Sequence, residues 1–238
     1  MPLALITGAS LGFGYELADA LADDGWDLVI DARRSGPLEA AATRFASRTG
    51  VVAITGDIAD GAHRVALVSA VAARNGLDLL VHNASTLGPS PLPALADLPP
   101  AEFDRILAVN VQAPLALTVA LLPFLRAAGG AVLGISSDAA VEHYPGWGGY
   151  GAAKAALDHL HGTLAVENPD LPVYSVDPGD MRTAMHQAAF PGEDISDRPL
   201  PATVVPALLR LIGERPPSGR YRAADWSPLA TAGHPVPA

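Results

Sequence analysis

The residues with the clearest chemical potential are a tyrosine and a lysine four positions apart, Tyr150 and Lys154. Lys154 is the only lysine in the chain, and every other strongly basic side chain is an arginine. On a helix, residues i and i+4 share one face, so the phenol and the ammonium would point into the same space. A neighbouring positive charge favours phenolate, and we expect it to lower the tyrosine pKa from its usual value of about 10. The pair predicts a general acid.

A glycine-rich segment follows the first apolar run, Leu3–Thr7, and leads into a predicted helix. It reads Thr7-Gly8-Ala9-Ser10-Leu11-Gly12-Phe13-Gly14. Glycines let the backbone approach a pyrophosphate, and a helix N-terminus offers free N–H groups and the positive end of its dipole. The spacing alone is weak evidence in a chain with 23 glycines. Its position between a strand and a helix favours dinucleotide binding over a plain turn.

The composition indicates a single globular domain. The chain has 238 residues, of which 50% are hydrophobic and 17% are charged. Its net charge of −10 argues against a nucleic-acid partner, because phosphate neutralisation needs a basic face. No cysteine is present, which excludes disulfides, thiolate nucleophiles and Cys-ligated metals.

His159 and His161 would face different ways on a helix, so they make a poor metal site. We expect both to be solvated or to lie at an interface. No signal peptide is apparent after Met1, and we expect a cytoplasmic protein.

One apolar stretch, Ile106–Leu125, is long enough to cross a bilayer. It contains two polar amide residues and two prolines, and no second segment of this kind follows. We therefore expect a buried or interface helix and no membrane partner.

Short apolar strands alternate with helical segments along the whole chain. This alternation predicts an α/β fold, a doubly wound parallel sheet of the Rossmann type in one domain over residues 1–225. A substrate flap is expected at about 178–200 and a loose C-terminal tail at 226–238. The predicted strands are Leu3–Thr7, Trp26–Ile30, Val51–Thr55, Leu77–His82, Ala131–Ser136, Val173–Asp177 and Gly219–Ala223.

The glycine pattern and the Tyr-x3-Lys pair together resemble the short-chain dehydrogenase/reductase family over roughly residues 3–223. Each further match is weak alone, but their order along the chain makes the set specific. Some segments, such as Pro145-Gly146-Trp147, are similar to the sepiapterin reductase branch, which uses NADPH. The further family matches are Asp57-Ile58, His82-Asn83-Ala84-Ser85, Asn110, Ser137, Pro178-Gly179 and Thr183.

The resemblance implies four catalytic residues. Tyr150 would protonate a carbonyl oxygen as hydride arrives, and Ser137 would stabilise the developing negative charge. Lys154 would lower the pKa of Tyr150 and hold the nicotinamide ribose. Asn110 would hold a water that connects Lys154 to solvent. The implied cofactor-binding residues are Gly8, Ser10, Gly12, Phe13, Gly14, Arg33, Arg34, Asp57, Ile58, Asn83, Ala84, Ser85, Tyr150, Lys154, Pro178, Gly179, Met181 and Thr183.

The chain departs from the family pattern at two places. Ser85 stands where the family usually has glycine, and Asp177 and Asp180 add negative charge beside the expected nicotinamide pocket. The pattern explains neither departure.

The end of the second strand predicts the choice of cofactor. A carboxylate there accepts from the ribose hydroxyl of NAD, whereas arginine accommodates the 2′-phosphate of NADP. Ala32 takes the carboxylate position and Arg33 follows it, while Asp31 falls one place early and should point to the opposite side of the strand. NADP is therefore favoured over NAD, although a slip of one residue would reverse this interpretation.

Aromatic and sulfur side chains are expected to wall the substrate pocket: Tyr144, Trp147, Met185 and His186, together with Phe190. They favour a neutral planar or cyclic ketone. The resulting hypothesis is an NADPH-dependent oxidoreductase that reduces a ketone or aldehyde. The alternatives are a non-catalytic dinucleotide-sensing protein on the same fold, and an epimerase or dehydratase of a longer-chain branch. The apolar stretch and the Ala-rich face of Tyr150–Val166 predict a homodimer or homotetramer.

Overall fold

The computed structural model describes residues 1–227, which form one seven-stranded parallel sheet. The strand order is β3-β2-β1-β4-β5-β6-β7, which confirms the expected doubly wound α/β architecture. The strand order reverses between β1 and β4, and folds of this class bind ligands outside the carboxyl ends of the strands at such a point. The strands are β1 Leu3–Ile6, β2 Asp27–Ala32, β3 Val51–Thr55, β4 Leu79–His82, β5 Ala131–Ile135, β6 Val173–Asp177 and β7 Gly219–Arg222.

Helices cover both faces of the sheet, because successive side chains of a buried strand point to opposite sides. In β1, Ala4 and Ile6 pack in one hydrophobic layer with Leu17 of α1, whereas Leu3 and Leu5 pack in the other. The helices are α1 Gly12–Asp23, α2 Ser35–Phe45, α3 Gly61–Ala72, α4 Pro100–Leu107, α5 Ala113–Ala128, α6 Gly148–Glu167, α7 Ala184–Ala189 and α8 Pro201–Glu214.

The helical run from Pro100 to Ala128 is apolar and long enough to cross a bilayer by length and composition. It is built of α4, a π-helical turn at Ala108–Gln112, and α5. Leu117, Leu121 and Leu125 are fully buried in the core against α3 and the sheet. The other face of α5 carries exposed apolar side chains, of which Leu115 and Val119 are the largest.

Three expectations about local structure were wrong. Strand β4 begins at Leu79, two residues later than predicted. Strand β2 continues two residues beyond Ile30, because Asp31 and Ala32 pair with β3 and the Asp31 carboxylate is satisfied inside the protein. His161 is neither solvated nor at an interface in this chain: it is buried, and its Nδ1 lies 3.1 Å from the Ser175 hydroxyl. Gly134 of β5 makes room for the ring, since an added Cβ would come within 2.9 Å of that same Nδ1.

The flap expected at 178–200 contains α7 and irregular segments. At the other end of the described chain, a short 3₁₀ helix spans Ala223–Trp226, and the Trp226 ring packs edge-on against Tyr221 at 5.7 Å. Residues 228–238 of the predicted tail lie outside the described residues.

Candidate active site

A cavity of about 670 Å³ opens where β1, β4, β5 and β6 end. It brings together most of the side chains that the sequence pattern selected. Four of them do not line it: Gly14, Asn110, Tyr144 and Phe190. Those that do are Gly8, Ser10, Gly12, Phe13, Arg33, Arg34, Asp57, Ile58, Asn83, Ala84, Ser85, Ser137, Trp147, Tyr150, Lys154, Pro178, Gly179, Met181, Thr183, Met185 and His186.

The glycine-rich loop forms one end of this cavity. Helix α1 begins at Gly12, and its N-cap residue, Leu11, makes no side-chain hydrogen bond to the first N–H groups, which leaves the helix N-terminus available to an anion. Gly8 has φ +69° and approaches the next loop so closely that an added Cβ would lie 2.9 Å from the Ala84 Cα. Gly14 lies behind the loop, where an added Cβ would contact the Asn83 amide. Gly14 therefore lets the helix start pack closely against the loop after β4, and it does not line the cavity.

Asp31 lies under the glycine-rich loop and is 2% exposed. Its Oδ1 accepts from the Gly8 N–H at 2.7 Å, and its Oδ2 lies 2.8 Å from the His63 Nε2. Both carboxylate oxygens are therefore used inside the protein. Arg33 and Arg34, by contrast, are exposed and line the cavity.

Asp57 follows β3 at the same end of the cavity. Burial raises the pKa of this carboxyl, but the Ala59 N–H and the Arg105 guanidinium outweigh burial and lower it. Arg105 pairs with the Asp57 carboxylate and also lines the cavity. Sequence reasoning missed Arg105, because it lies 48 residues away in α4 and belongs to no motif.

Tyr150 and Lys154 share one face of α6 at the other end of the cavity. The Lys154 Nζ lies 5.5 Å from the centroid of the Tyr150 ring and donates to the Ile135 carbonyl at 2.6 Å. Burial lowers the pKa of Lys154 to about 8. Burial also raises the pKa of Tyr150, although the Ser85 and Ser137 hydroxyls lower it. The expected net lowering of the Tyr150 pKa is therefore wrong for this structure, because desolvation of the phenolate dominates.

Ser137 lies two residues after the end of β5, beside Tyr150. Its hydroxyl donates to the Asp138 Oδ1 at 2.8 Å and accepts from the Ala139 N–H at 3.2 Å. The other oxygen of Asp138 accepts from the Tyr144 hydroxyl at 3.0 Å. The Glu142 Oε2 lies 2.7 Å from the same hydroxyl, so the two carboxylates share its single proton. Tyr144 is 39% exposed, and its ring lies away from the cavity. The expected pocket role of Tyr144 is therefore corrected.

Asn110 lies in the π-helical turn and is 1% exposed. Its Oδ1 accepts from the Ser85 hydroxyl at 3.1 Å and from the Thr86 N–H at 2.9 Å. Its Nδ2 donates to the Thr86 carbonyl at 2.8 Å. Asn110 thus fixes the loop after β4, and Ser85, the departure from the family pattern, is bonded to it. The water-holding role of Asn110 stays a prediction.

The two unexplained carboxylates have partners within the protein. Asp177 is buried, which raises its pKa, while its Oδ1 accepts from the Gly179 N–H at 2.9 Å. Asp180 lies 3.5 Å from the Arg198 guanidinium and 3.7 Å from the His186 ring.

Aromatic rings wall the cavity beyond Tyr150. The Trp147 ring meets Tyr150 edge-on at 5.7 Å, and Phe190 lies 6.0 Å from Trp147. His186 packs against Phe190 at 4.9 Å, and Met185 lines the same region. Phe190 completes this wall from behind the residues that line the cavity.

Known proteins share this arrangement of sequence and fold. The chain is 31% identical over 220 residues to an uncharacterized oxidoreductase, YciK, of Escherichia coli K12. That alignment covers 89% of this chain and 86% of the relative. It is 34% identical over 201 residues to sepiapterin reductase of Mus musculus, covering 79% and 77% of the two chains. A crystal structure of a short chain dehydrogenase from Escherichia coli CFT073, complexed with NADPH, superimposes with a TM-score of 0.83 at 30% identity. That alignment covers 93% of this chain and 96% of the other.

A sequence profile described as short chain dehydrogenase matches residues 2–194, the span that contains the glycine-rich loop, Asn110, Ser137, Tyr150 and Lys154. Sequence, fold and site thus agree over most of the chain. This protein belongs to the short-chain dehydrogenase family of NAD(P)-dependent oxidoreductases.

Proposed function

We propose that this protein reduces a ketone or aldehyde to an alcohol with NADPH, and that Tyr150 is the general acid. One observation carries the proposal: the Tyr150 and Ser137 side chains lie at one end of a continuous cavity whose other end exposes Arg33 and Arg34.

The cavity has the features that a phosphorylated dinucleotide needs. The uncapped N-terminus of α1 offers N–H groups to the pyrophosphate. Arg33 and Arg34 offer guanidinium groups that suit a 2′-phosphate, while Asp31 is already hydrogen bonded on both oxygens. A related structure contains NADPH, which supports the same choice here. When bound, the nicotinamide ring supplies the hydride.

The chain's own residues would manage the proton and the charge. As the carbonyl carbon gains hydride, the Ser137 hydroxyl donates a hydrogen bond to the carbonyl oxygen, and Tyr150 transfers its proton to that oxygen. The Lys154 ammonium stabilises the phenolate that Tyr150 becomes. In the oxidative direction, the same phenolate would accept the proton of the alcohol.

The walls of the cavity support a neutral, flat substrate. Trp147 and Met185 offer apolar contact. The carboxylates Asp138, Asp177 and Asp180 line the same end, together with the ionisable side chains of the catalytic residues and His186. Arg182, which could have favoured an anion, is exposed and does not line the cavity. Three carboxylates against the one Lys154 ammonium leave an excess of negative charge there, which disfavours a carboxylated or phosphorylated substrate.

Tyr150→Phe tests the mechanism. We expect turnover with a panel of ketones and diketones to fall by about 10²–10⁴, because the proton donor is lost. NADPH binding, measured by fluorescence titration, should stay close to wild type. Tyr15→Phe is the matched control, since it removes a phenol that packs against Phe45 outside the cavity and should leave turnover unchanged.

Two results would contradict the proposal. Equal turnover in Tyr150→Phe and wild type would show that Tyr150 is not the general acid. A wild-type protein that binds NADPH but turns over no carbonyl compound would instead favour the dinucleotide-sensing alternative.

A further inference from the structure

Arg220 of β7 joins three structural elements behind the candidate active site. Its Nε donates to the Asp158 Oδ2 at 3.0 Å, and its Nη2 donates to the Ser137 carbonyl at 2.8 Å. The same Nη2 lies 3.6 Å from the Asp177 carboxylate at the end of β6. One planar guanidinium therefore ties α6 and β6 to the backbone of the serine beside Tyr150.

Asp158 is the partner of Arg220 on α6, one helical turn after Lys154. Its side chain is 14% exposed, and its Oδ2 also accepts from the Ser136 hydroxyl at 2.8 Å. Its Oδ1 is buried and has no hydrogen-bond partner among residues 1–227. Both serines at the end of β5 are thus held by this pair: Ser136 by its hydroxyl and Ser137 by its carbonyl.

We infer that Asp158 and Arg220 are positioning residues for the proposed reaction. Arg220 fixes Ser137 against Tyr150, and Asp158 keeps Lys154 in its ammonium form. This inference rests on the proposed function, since it assigns both residues to the same Ser137, Tyr150 and Lys154 chemistry.

The charges around Lys154 single out Asp158. Burial lowers the pKa of Lys154 to about 8, and the Asp158 carboxylate acts in the opposite direction. His82 of β4 and His161 of α6 also act on this site, but burial lowers the pKa of both, which keeps their rings neutral near pH 7. The remaining ionisable groups, Asp138, Asp177 and Arg220, act on Tyr150 or on one another.

The single lysine makes the charge effect directly measurable. In protein labelled with ¹³C-lysine, the side-chain signals that titrate belong to Lys154 alone. Asp158→Asn keeps the size of the side chain but removes its charge. We expect the Lys154 midpoint to move to lower pH by about 0.5 to 1 pH unit. Glu167→Gln, an exposed change on the same helix, should leave the midpoint unchanged.

This titration needs no substrate, so it stays readable even if the proposed function fails. Because Lys154 must be protonated to stabilise the phenolate, the alkaline limb of kcat/KM in Asp158→Asn should move to lower pH as well. An unchanged Lys154 midpoint in folded Asp158→Asn would overturn the electrostatic part of the inference.

Arg220→Lys tests the positioning of Ser137, since a lysine keeps the charge but cannot donate in a fixed fork to Asp158 and the Ser137 carbonyl together. We expect kcat to fall about tenfold with the KM for NADPH nearly unchanged. Arg210→Lys, in an exposed pair with Glu214, is the control and should match wild type.

Thermal unfolding of each variant separates a folding defect from a loss of positioning. If Arg220→Lys does not fold, Arg220→Gln replaces it in the same assay. A folded Arg220 variant with wild-type kcat would overturn the positioning role.

Discussion

The Ser85 hydroxyl donates a hydrogen bond to the Asn110 Oδ1 at 3.1 Å, which joins the loop after β4 to the π-helical turn before α5. Ser85 also lines the cavity with Tyr150, and its hydroxyl lowers the pKa of that phenol against the larger effect of burial. A side chain that departs from the family pattern is therefore part of the catalytic surroundings.

Ser85→Gly restores the residue usual in the family and removes this hydroxyl. We expect the Tyr150 pKa to rise, so alcohol oxidation at fixed pH should slow by up to about tenfold, since one pKa unit corresponds to a tenfold change. Ser85→Ala keeps the Cβ and should give the same result. Rates equal to wild type in both variants would show that the hydroxyl has no part in the chemistry.

Arg33→Ala should weaken NADPH binding and leave NADH binding unchanged, because only the 2′-phosphate can pair with that guanidinium. Fluorescence titration with each nucleotide gives both Kd values, and we expect a rise of about tenfold for NADPH. Arg44→Ala, which removes an exposed arginine paired with Asp19, is the control. Tighter binding of NADH than NADPH by wild type would mean that the cofactor interpretation is wrong.

His161 should make the fold sensitive to mild acid. Burial lowers its pKa to about 4, whereas an unfolded histidine titrates near 6.5. The unfolded state therefore binds more protons as the pH falls below about 6.5, and the free energy of unfolding decreases towards pH 4 by roughly 3 kcal/mol.

Denaturant unfolding of His161→Gln at several pH values checks this. The variant should lose less stability between pH 6.5 and 4 than wild type, since glutamine does not titrate. His159→Gln changes an exposed histidine on the same helix and should follow the wild-type curve. A His161→Gln curve that also parallels wild type would assign the acid response to other groups.

We expect a homodimer or homotetramer built on α5 and α6. Val119 on α5 and Val166 on α6 are 56% and 83% exposed, and burial of such side chains favours association. Light scattering at micromolar concentration should give a multiple of 24.4 kDa, and Val119→Glu should reduce it. Val65→Glu, at a site on α3 that is 66% exposed, should not reduce it. A monomeric wild type would contradict this prediction.

The sequence predicted what depends on local spacing. Tyr150 and Lys154 share a face because they are four residues apart on a helix. The glycine-rich loop follows a strand that a short apolar run predicts. The long-range pairs had no such signal. His63 lies 32 residues from Asp31, and Arg220 lies 83 residues from Ser137. The sequence also did not predict that the pKa of Tyr150 is raised, because the depth of burial of a side chain follows from the whole fold.

Tyr150, Lys154, Asp158 and His161 follow one another along the inner side of α6. A single inserted or deleted residue among them would rotate every later member by about 100° around the helix axis. Catalysis, the contact to Arg220 and the packing against β5 would be lost together. We therefore expect insertions and deletions to be absent from α6 among related proteins. They should occur instead in segments such as 178–200, where side chains do not have to share one helix face.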